Sequence, residues 1–318
     1  MFENEKLDGV LIGTRCSSHA KFAQMTLSRN IPLFLEKPVV TSKEDLSMLG
    51  REGLHMNDQV LVSFPLRLSP VVQLAKEIID SGKLCVITQV QAFNNVPYGG
   101  VYYHGWYRDE NETGGLFLQK ASHDLDYINF LVGESPVEIC AMESKIVFKG
   151  NKSAELYCRD CPERNICPEG PYYMEQIRHD NPMGEQCCFA VDTGNMDSGS
   201  VIVRYASGIH ATYTQNFVAR KKAASRGARV IGYKATLEFD WYTDKLFIYN
   251  HIDDVVTTYQ MGLKNVFHWG GDERLAVNFI GVVEGTQKSE ATLYDGLLSA
   301  KMCLRAKESS ADSTFKKI

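Results

Sequence analysis

The sequence predicts a parallel α/β unit over residues 1–64, followed by a larger α+β unit over residues 65–308 whose sheet is mostly antiparallel and flanked by helices. Two observations carry this. In the first 64 residues, three short apolar runs alternate with two stretches of helical spacing, the pattern of βαβ units whose strands run parallel. Beyond residue 82 the period changes to two, and strand-like runs follow one another across short turns. A cysteine-rich insertion over 157–188 interrupts the second unit, and residues 309–318 read as a polar, frayed tail.

Taken in order, residues 9–12 form a short apolar run after Leu7 and Asp8 and read as a buried strand. Helical spacing over 18–28 places Ala20, Ala23, Met25 and Leu27 on or near one face. A second strand covers 31–35 and ends at Glu36, Lys37 and Pro38. Ser42, with Asp45 three residues on, is an N-cap for a helix to about residue 55, and 59–64 is the third strand. Pro70 belongs to the first turn of a helix that Gly82 closes after Ser81. Half-buried strands are expected at 86–93, 138–148, 200–205, 210–216, 229–231, 236–240 and 245–249, with a helix embedded at 123–131. Two terminal helices cover 272–284 and 293–306.

Composition narrows the function. The chain has 318 residues, 44% of them hydrophobic, which suffices for two domains. Its net charge is −5, and its basic residues are interspersed with acidic ones, so the basic stripe of a nucleic-acid binder is missing. No apolar run approaches the ~20 residues that span a bilayer, and the polar start has no signal-peptide core. A soluble, cytoplasmic protein with no membrane partner is expected. Nine cysteines in a reducing compartment are buried thiols, metal ligands or nucleophiles.

Four segments, in order, resemble one family. Residues 9–12 through His19 look like a dinucleotide-binding strand and its following turn. Glu36, Lys37 and Pro38 match a Glu-Lys-Pro signature at the end of the next strand. Residues 66–70, with Arg67, resemble the start of a crossover helix. Gly114 and Gly115 through His123, Asp124, Leu125 and Asp126 resemble an active-site helix, and Gly270, Gly271, Asp272 and Glu273 open a further helix in the right place. Together they resemble the Gfo/Idh/MocA oxidoreductases. The first unit would then be the C-terminal half of a Rossmann-like domain.

The resemblance implies an NAD(P)-dependent enzyme acting on a hydroxyl of a sugar, inositol or sugar derivative. Lys37 and His123 are the implied catalytic pair. Ligands bind beyond the carboxyl ends of strands in such sheets, and Lys37 stands at one. The family implies a cis bond before Pro38 that aims Lys37 into the cleft, where shelter from water would lower its pKa. An imidazole suits the hydroxyl proton because its pKa lies near working pH, which makes His123 the acid/base. Gln119 and Lys120, one turn earlier, would contact substrate together with Arg67 and Trp106. Many relatives carry an Asp at the position of Gln119, and Gln cannot titrate. Thr14, His19, Glu36, Lys37 and Pro38 would flank NAD or NADP. The aromatic loop of Tyr98, Tyr102, Tyr103, His104, Trp106 and Tyr107 is either a sugar-binding wall or sheet packing.

No G-x-G-x-x-G turn occurs anywhere in the sequence. Relative to the family, a preceding stretch of roughly 60–70 residues, two βαβ turns, is expected. Without it, the strand at 9–12 should be an exposed edge. Either a longer natural chain or an oligomer partner would cover that edge, and cofactor binding by this chain should be weak or absent. A homo-oligomer, dimer or tetramer, is implied. A non-catalytic binding or regulatory protein on the same scaffold is the alternative.

Cys158 and Cys161, two residues apart, followed by Cys167 and Cys187, fit the spacing of a structural four-cysteine zinc site. The surrounding loop is poor in apolar residues and rich in Pro and Gly, and zinc would staple it. His179 is an alternative fourth ligand and free thiols are the plainer reading; the resemblance, to a subset of the family with such an insertion whose last Cys just precedes a strand, implies Cys187 rather than Cys188. Cys16, Cys85, Cys140 and Cys303 read as ordinary small residues.

Overall fold

A computed structural model describes residues 2–263 and 266–318. The small sheet holds β1 (Val10–Ile12), β2 (Leu33–Leu35) and β3 (Val60–Val62), paired in parallel in that order. Helix α1 (His19–Leu27) joins β1 to β2, and α2 (Lys43–Glu52) joins β2 to β3. The Ser42 side chain accepts from the Asp45 amide at 3.0 Å, the expected N-cap. Along β3 the outer side is met by the loop before the last helix, where the Val62 amide donates to Ala291 O at 2.7 Å. β1 is an edge strand among the described residues, and Leu11 is 70% exposed.

The chain crosses to the larger unit through a short turn, α3 (Pro65–Leu68), and α4 (Pro70–Asp80). The large sheet is built from β4 (Ile87–Asn95), β5 (Pro136–Ser144), β6 (Ser198–Tyr205), β7 (His210–Asn216), β8 (Ser225–Gly232), β9 (Ala235–Asp240), β10 (Lys245–Asn250), β11 (Val256–Gln260) and β12 (Lys316–Lys317). Its order is β11-β10-β9-β8-β4-β7-β6-β5-β12. The sheet is mixed: β4 and β7 run parallel while its other pairs are antiparallel. Between β4 and β5 lie the short α5 (Val101–His104) and α6 (Glu110–Thr113), and then α7 (Ser122–Val132). The insertion carries α8 (Pro171–Gln176), and α9 (Gly271–Val283) and α10 (Leu293–Asp312) complete the chain.

Two expectations change. The strand expected to run to residue 148 stops at Ser144, because the Asp197 carboxylate accepts from the amides of Ile146, Val147 and Phe148 at 2.8, 2.6 and 3.1 Å and turns the backbone out of the ladder. The tail is not frayed. α10 opens on a Thr292–Asp295 capping box and runs on to Asp312, Ser309 is fully buried with its hydroxyl on the Ala141 amide, and β12 pairs with β5. α10 packs on α2, β3, α7 and β5, so one helix ties the two sheets together. Among the described residues, no helix is long and apolar enough to cross a membrane.

Candidate active site

A cavity of about 750 Å³ opens where β2 and β3 end. Glu36, Lys37 and Ser63 line it from the small sheet, and Gln119, Lys120 and His123 from the approach to α7. This is the carboxyl edge at which open α/β sheets place ligands. A second cavity of about 400 Å³ lies within the cysteine-rich insertion and shares no lining residue with the first.

The approach to α7 is wound wide. Residues Phe117–Ala121 form one π-helical turn in which the Ser122 amide bonds Phe117 O, five residues back. Lys37 Nζ donates to the Gln119 carbonyl at 2.9 Å. The same turn sets Gln119, Lys120 and, one residue into α7, His123 against the cavity. The Lys37–Pro38 bond is cis. His19 is buried, with Nδ1 2.8 Å from Pro38 O and Nε2 3.1 Å from Thr14 O. It braces the Lys37–Pro38 segment, with both ring nitrogens occupied.

Charges in the cavity set its proton chemistry. Burial, and next the Lys120 ammonium, lower the pKa of Lys37 from 10.5 to about 8. Lys120 responds in the opposite direction. Burial works against its charge, but the Tyr102 and Tyr98 oxygens outweigh burial and hold its pKa above the ordinary lysine value. Tyr98 in turn is lowered, first of all by Lys120. His123 is pushed well below the usual imidazole value by burial and then by Lys37, Arg226 and Lys120. Its Nδ1 is buried with no hydrogen-bond partner. The site therefore holds a permanent ammonium, an amine that titrates near neutral pH and an uncharged imidazole.

Not every residue expected at the site reaches it. Arg67 does not line the cavity: its Nε and Nη2 grip Asp126 at 2.9 and 2.5 Å, and its Nη1 bonds Asp295 at 2.9 Å. Every arm of the guanidinium is spent on tying α3 to α7 and α10. Trp106 lies behind the wall, stacked on Tyr107 at 3.9 Å with the Arg15 guanidinium 3.7 Å over its ring. Thr14 is exposed in the turn after β1, its hydroxyl 2.8 Å from that of Ser18. The Gln119 side chain accepts from Cys16 Sγ at 3.4 Å. Of the aromatic loop, Tyr98, Tyr102 and Tyr107 face the cavity, whereas Tyr103 packs on Phe148 at 3.9 Å.

Arg226, on β8, also lines the cavity and was missed by motif reading. Its Nε and Nη2 hold Asp124 at 2.9 and 2.8 Å. Asp124 further accepts from Asn94 at 3.1 Å and Tyr213 at 2.9 Å, so this fully buried carboxylate makes four hydrogen bonds. A signal for Arg226 existed. It shares the buried register of β8 with Ala228 and Val230, an arginine on a core face. His268, Trp269 and Asp272 close another side of the cavity, with His268 Nδ1 2.9 Å from Asp272.

The expected zinc site is not supported. All nine cysteines are free, and among the described residues no group of three or more His, Cys, Asp or Glu side chains is arranged to hold a metal ion. Backbone pairing holds the insertion instead: the Cys158 amide donates to Glu185 O at 2.7 Å and the Cys187 amide to Leu156 O at 2.8 Å. Cys188 joins Tyr102, Tyr103, Phe148 and Phe217 in a second apolar cluster. Burial, and then the neighbouring Cys187, Cys167 and Cys161, push the Cys158 thiol up to about 12.

Comparison with known proteins places this architecture. Residues 1–64 match the profile of the oxidoreductase family with an NAD-binding Rossmann fold, and residues 72–238 that of the GFO/IDH/MocA C-terminal domain. The chain belongs to the Gfo/Idh/MocA family. It is 29% identical over 143 residues to the oxidoreductase YteT of Bacillus subtilis, a match covering 44% of this chain and 33% of YteT. It is 24% identical over 151 residues to inositol 2-dehydrogenase of Rhizobium meliloti, covering 48% of this chain and 44% of that enzyme. The chain thus spans less than half the length of these curated relatives. Among solved structures, it shares its fold with an oxidoreductase domain protein from Kribbella flavida (TM-score 0.77, 16% identity, 99% of this chain and 81% of that one). The same fold is found in levoglucosan dehydrogenase in complex with NADH and levoglucosan (TM-score 0.75, 18% identity, 98% and 80%).

Proposed function

We propose that this Gfo/Idh/MocA chain is an NAD(P)-dependent oxidoreductase acting on a hydroxyl of a sugar, inositol or sugar derivative. One observation carries the reading. A single cavity at the ends of parallel strands holds Lys37, an amine titrating at about 8, together with His123, a neutral imidazole with an unpartnered nitrogen. Dehydrogenation of an alcohol needs a group that takes the hydroxyl proton as the hydride leaves carbon, and the best such group has a pKa near working pH. Lys37 meets that condition. His123 is faced by Lys37, Arg226 and Lys120 and is a weaker base than its sequence position suggests, but it stays uncharged and free to hydrogen-bond the reacting oxygen. The roles expected for the pair therefore shift, with Lys37 carrying the proton and His123 orienting the oxygen. The relatives that act on inositol and levoglucosan, both polyhydroxylated rings, support the substrate class.

The ends of β1 and β2 fit the nicotinamide side of a dinucleotide. A Cβ at Gly13 would lie 3.9 Å from Glu36 Cγ, so these two strand ends adjoin, with the exposed Thr14 beside them. Thr14, Glu36 and Lys37 would hold the ribose and ring, and the bound nicotinamide would take or give the hydride. No glycine-rich turn in this sequence is available for the pyrophosphate. The homo-oligomer that the family implies would use the outer face of the large sheet, where Met142 and Ile202 are exposed.

Titration of the chain with NADH and NADPH, followed by nicotinamide fluorescence in the presence and absence of myo-inositol and aldohexoses, tests the reading. A saturable change that a polyol modifies is expected. Polyol binding with no response to either nicotinamide would replace the enzyme with a sugar-binding protein.

A further inference from the structure

Lys120 is only 7% exposed, yet among the described residues no carboxylate pairs with it. Its Nζ donates to the Tyr98 hydroxyl at 3.0 Å and lies 5.0 and 5.3 Å from the ring centroids of Tyr98 and Tyr102. An ammonium has three donors, and the phenol oxygens of Tyr98 and Tyr102 that face it supply no carboxylate counter-charge. The acids in and beside the cavity are engaged elsewhere. Asp124 is saturated by Arg226, Asn94 and Tyr213, Asp272 holds His268, and Glu36 acts on its neighbour Lys37. A buried, permanently charged ammonium facing a cavity and lacking a counter-ion is half of an ion pair.

We infer that the substrate is a sugar acid, a uronic or aldonic acid, whose carboxylate pairs with Lys120 Nζ and the Tyr98 hydroxyl. This rests on the reading of the cavity as a polyol site. One ammonium and one hydroxyl match a monoanion. A phosphate ester favours bidentate arginines or a helix N-terminus, and Arg226, the one arginine lining this cavity among the described residues, is committed to Asp124.

Binding to the full chain is measured by calorimetry for matched pairs, glucuronate against glucose and galacturonate against galactose, with glucose 6-phosphate as a third anion. In at least one pair the uronate binds about tenfold or more tightly than its hexose, the difference made by one charge-assisted contact. In Lys120→Met that ratio falls to about one. Tyr98→Phe, which keeps the ring and removes only the hydroxyl, lowers it part-way and serves should the lysine variant fail to fold. Equal or tighter binding of the neutral sugar overturns the inference, as does a preference that survives both substitutions. A preference for the phosphate ester over the uronates also overturns it. In each of these cases the polyol reading stands. If no sugar binds, charged or neutral, both fall.

Discussion

Lys37→Met should change stability in a pH-dependent way. Lys37 binds its proton less readily in the folded chain, where its pKa is about 8, than at the ordinary value of 10.5. Between those values the unfolded chain holds more protons, so stability rises with pH across that window. The penalty is fully present below pH 8 and is relieved as pH approaches 10.5. At about 1.4 kcal/mol per pH unit, the difference of about 2.5 units sets a ceiling of about 3.5 kcal/mol. Lys37 is half-buried and water screens part of it, so about 2 kcal/mol is expected. The substitution also deletes the hydrogen bond to Gln119 O, a loss common to both pH values. Urea unfolding of both proteins at pH 7 and pH 10.5 isolates the pH-dependent part. Relative to wild type, Lys37→Met should be more stable at pH 7 than at pH 10.5 by about 2 kcal/mol. A difference that does not depend on pH, or one of opposite sign, would refute the assignment of a strained ammonium at Lys37.

Three other outcomes follow from the same geometry. Oxidation of a polyol should speed up as pH rises and level off above about 8, as neutral Lys37 accumulates, and Lys120→Met should move that midpoint upward by removing a neighbouring cation; pH–rate profiles of both proteins check this. Asp124→Asn leaves Arg226 buried without its counter-charge and should cost about 3–5 kcal/mol in denaturant unfolding. Alanine at two glycines should act with opposite sign. At Gly227 a Cβ would lie 1.9 Å from Phe239 O, a backbone atom of the adjacent strand, so the variant should lose more than about 4 kcal/mol. At Gly50, in α2, nothing lies within 4 Å, and thermal melts should show a gain of about 0.5–1 kcal/mol.

Local signals carried most of the fold. The apolar runs and caps around Ser42, Pro70 and Gly82 mark α2, α4 and the parallel strands to within a few residues, because each depends on neighbours in sequence. The end of β5 was not legible, since Asp197, which turns the backbone there, is about fifty residues away. The burial of Ser309 depends on the amide of Ala141, on a strand that periodicity alone does not place beside α10. At the site, Lys37, Gln119, Lys120 and His123 were identified from motif order and do share one cavity. Arg67 was misread because its partners Asp126 and Asp295 are remote from it in sequence.

Transfer of deuterium from a carbon-deuterated polyol to NAD⁺ or NADP⁺, read by mass spectrometry of the nicotinamide, tests the function most directly. With the wild-type chain and a sugar or sugar acid that binds, the label should appear on the nicotinamide, and Lys37→Met and His123→Phe should each suppress it. No label from any polyol that demonstrably binds, or undiminished labelling in both variants, would contradict a hydride-transfer site built on Lys37 and His123.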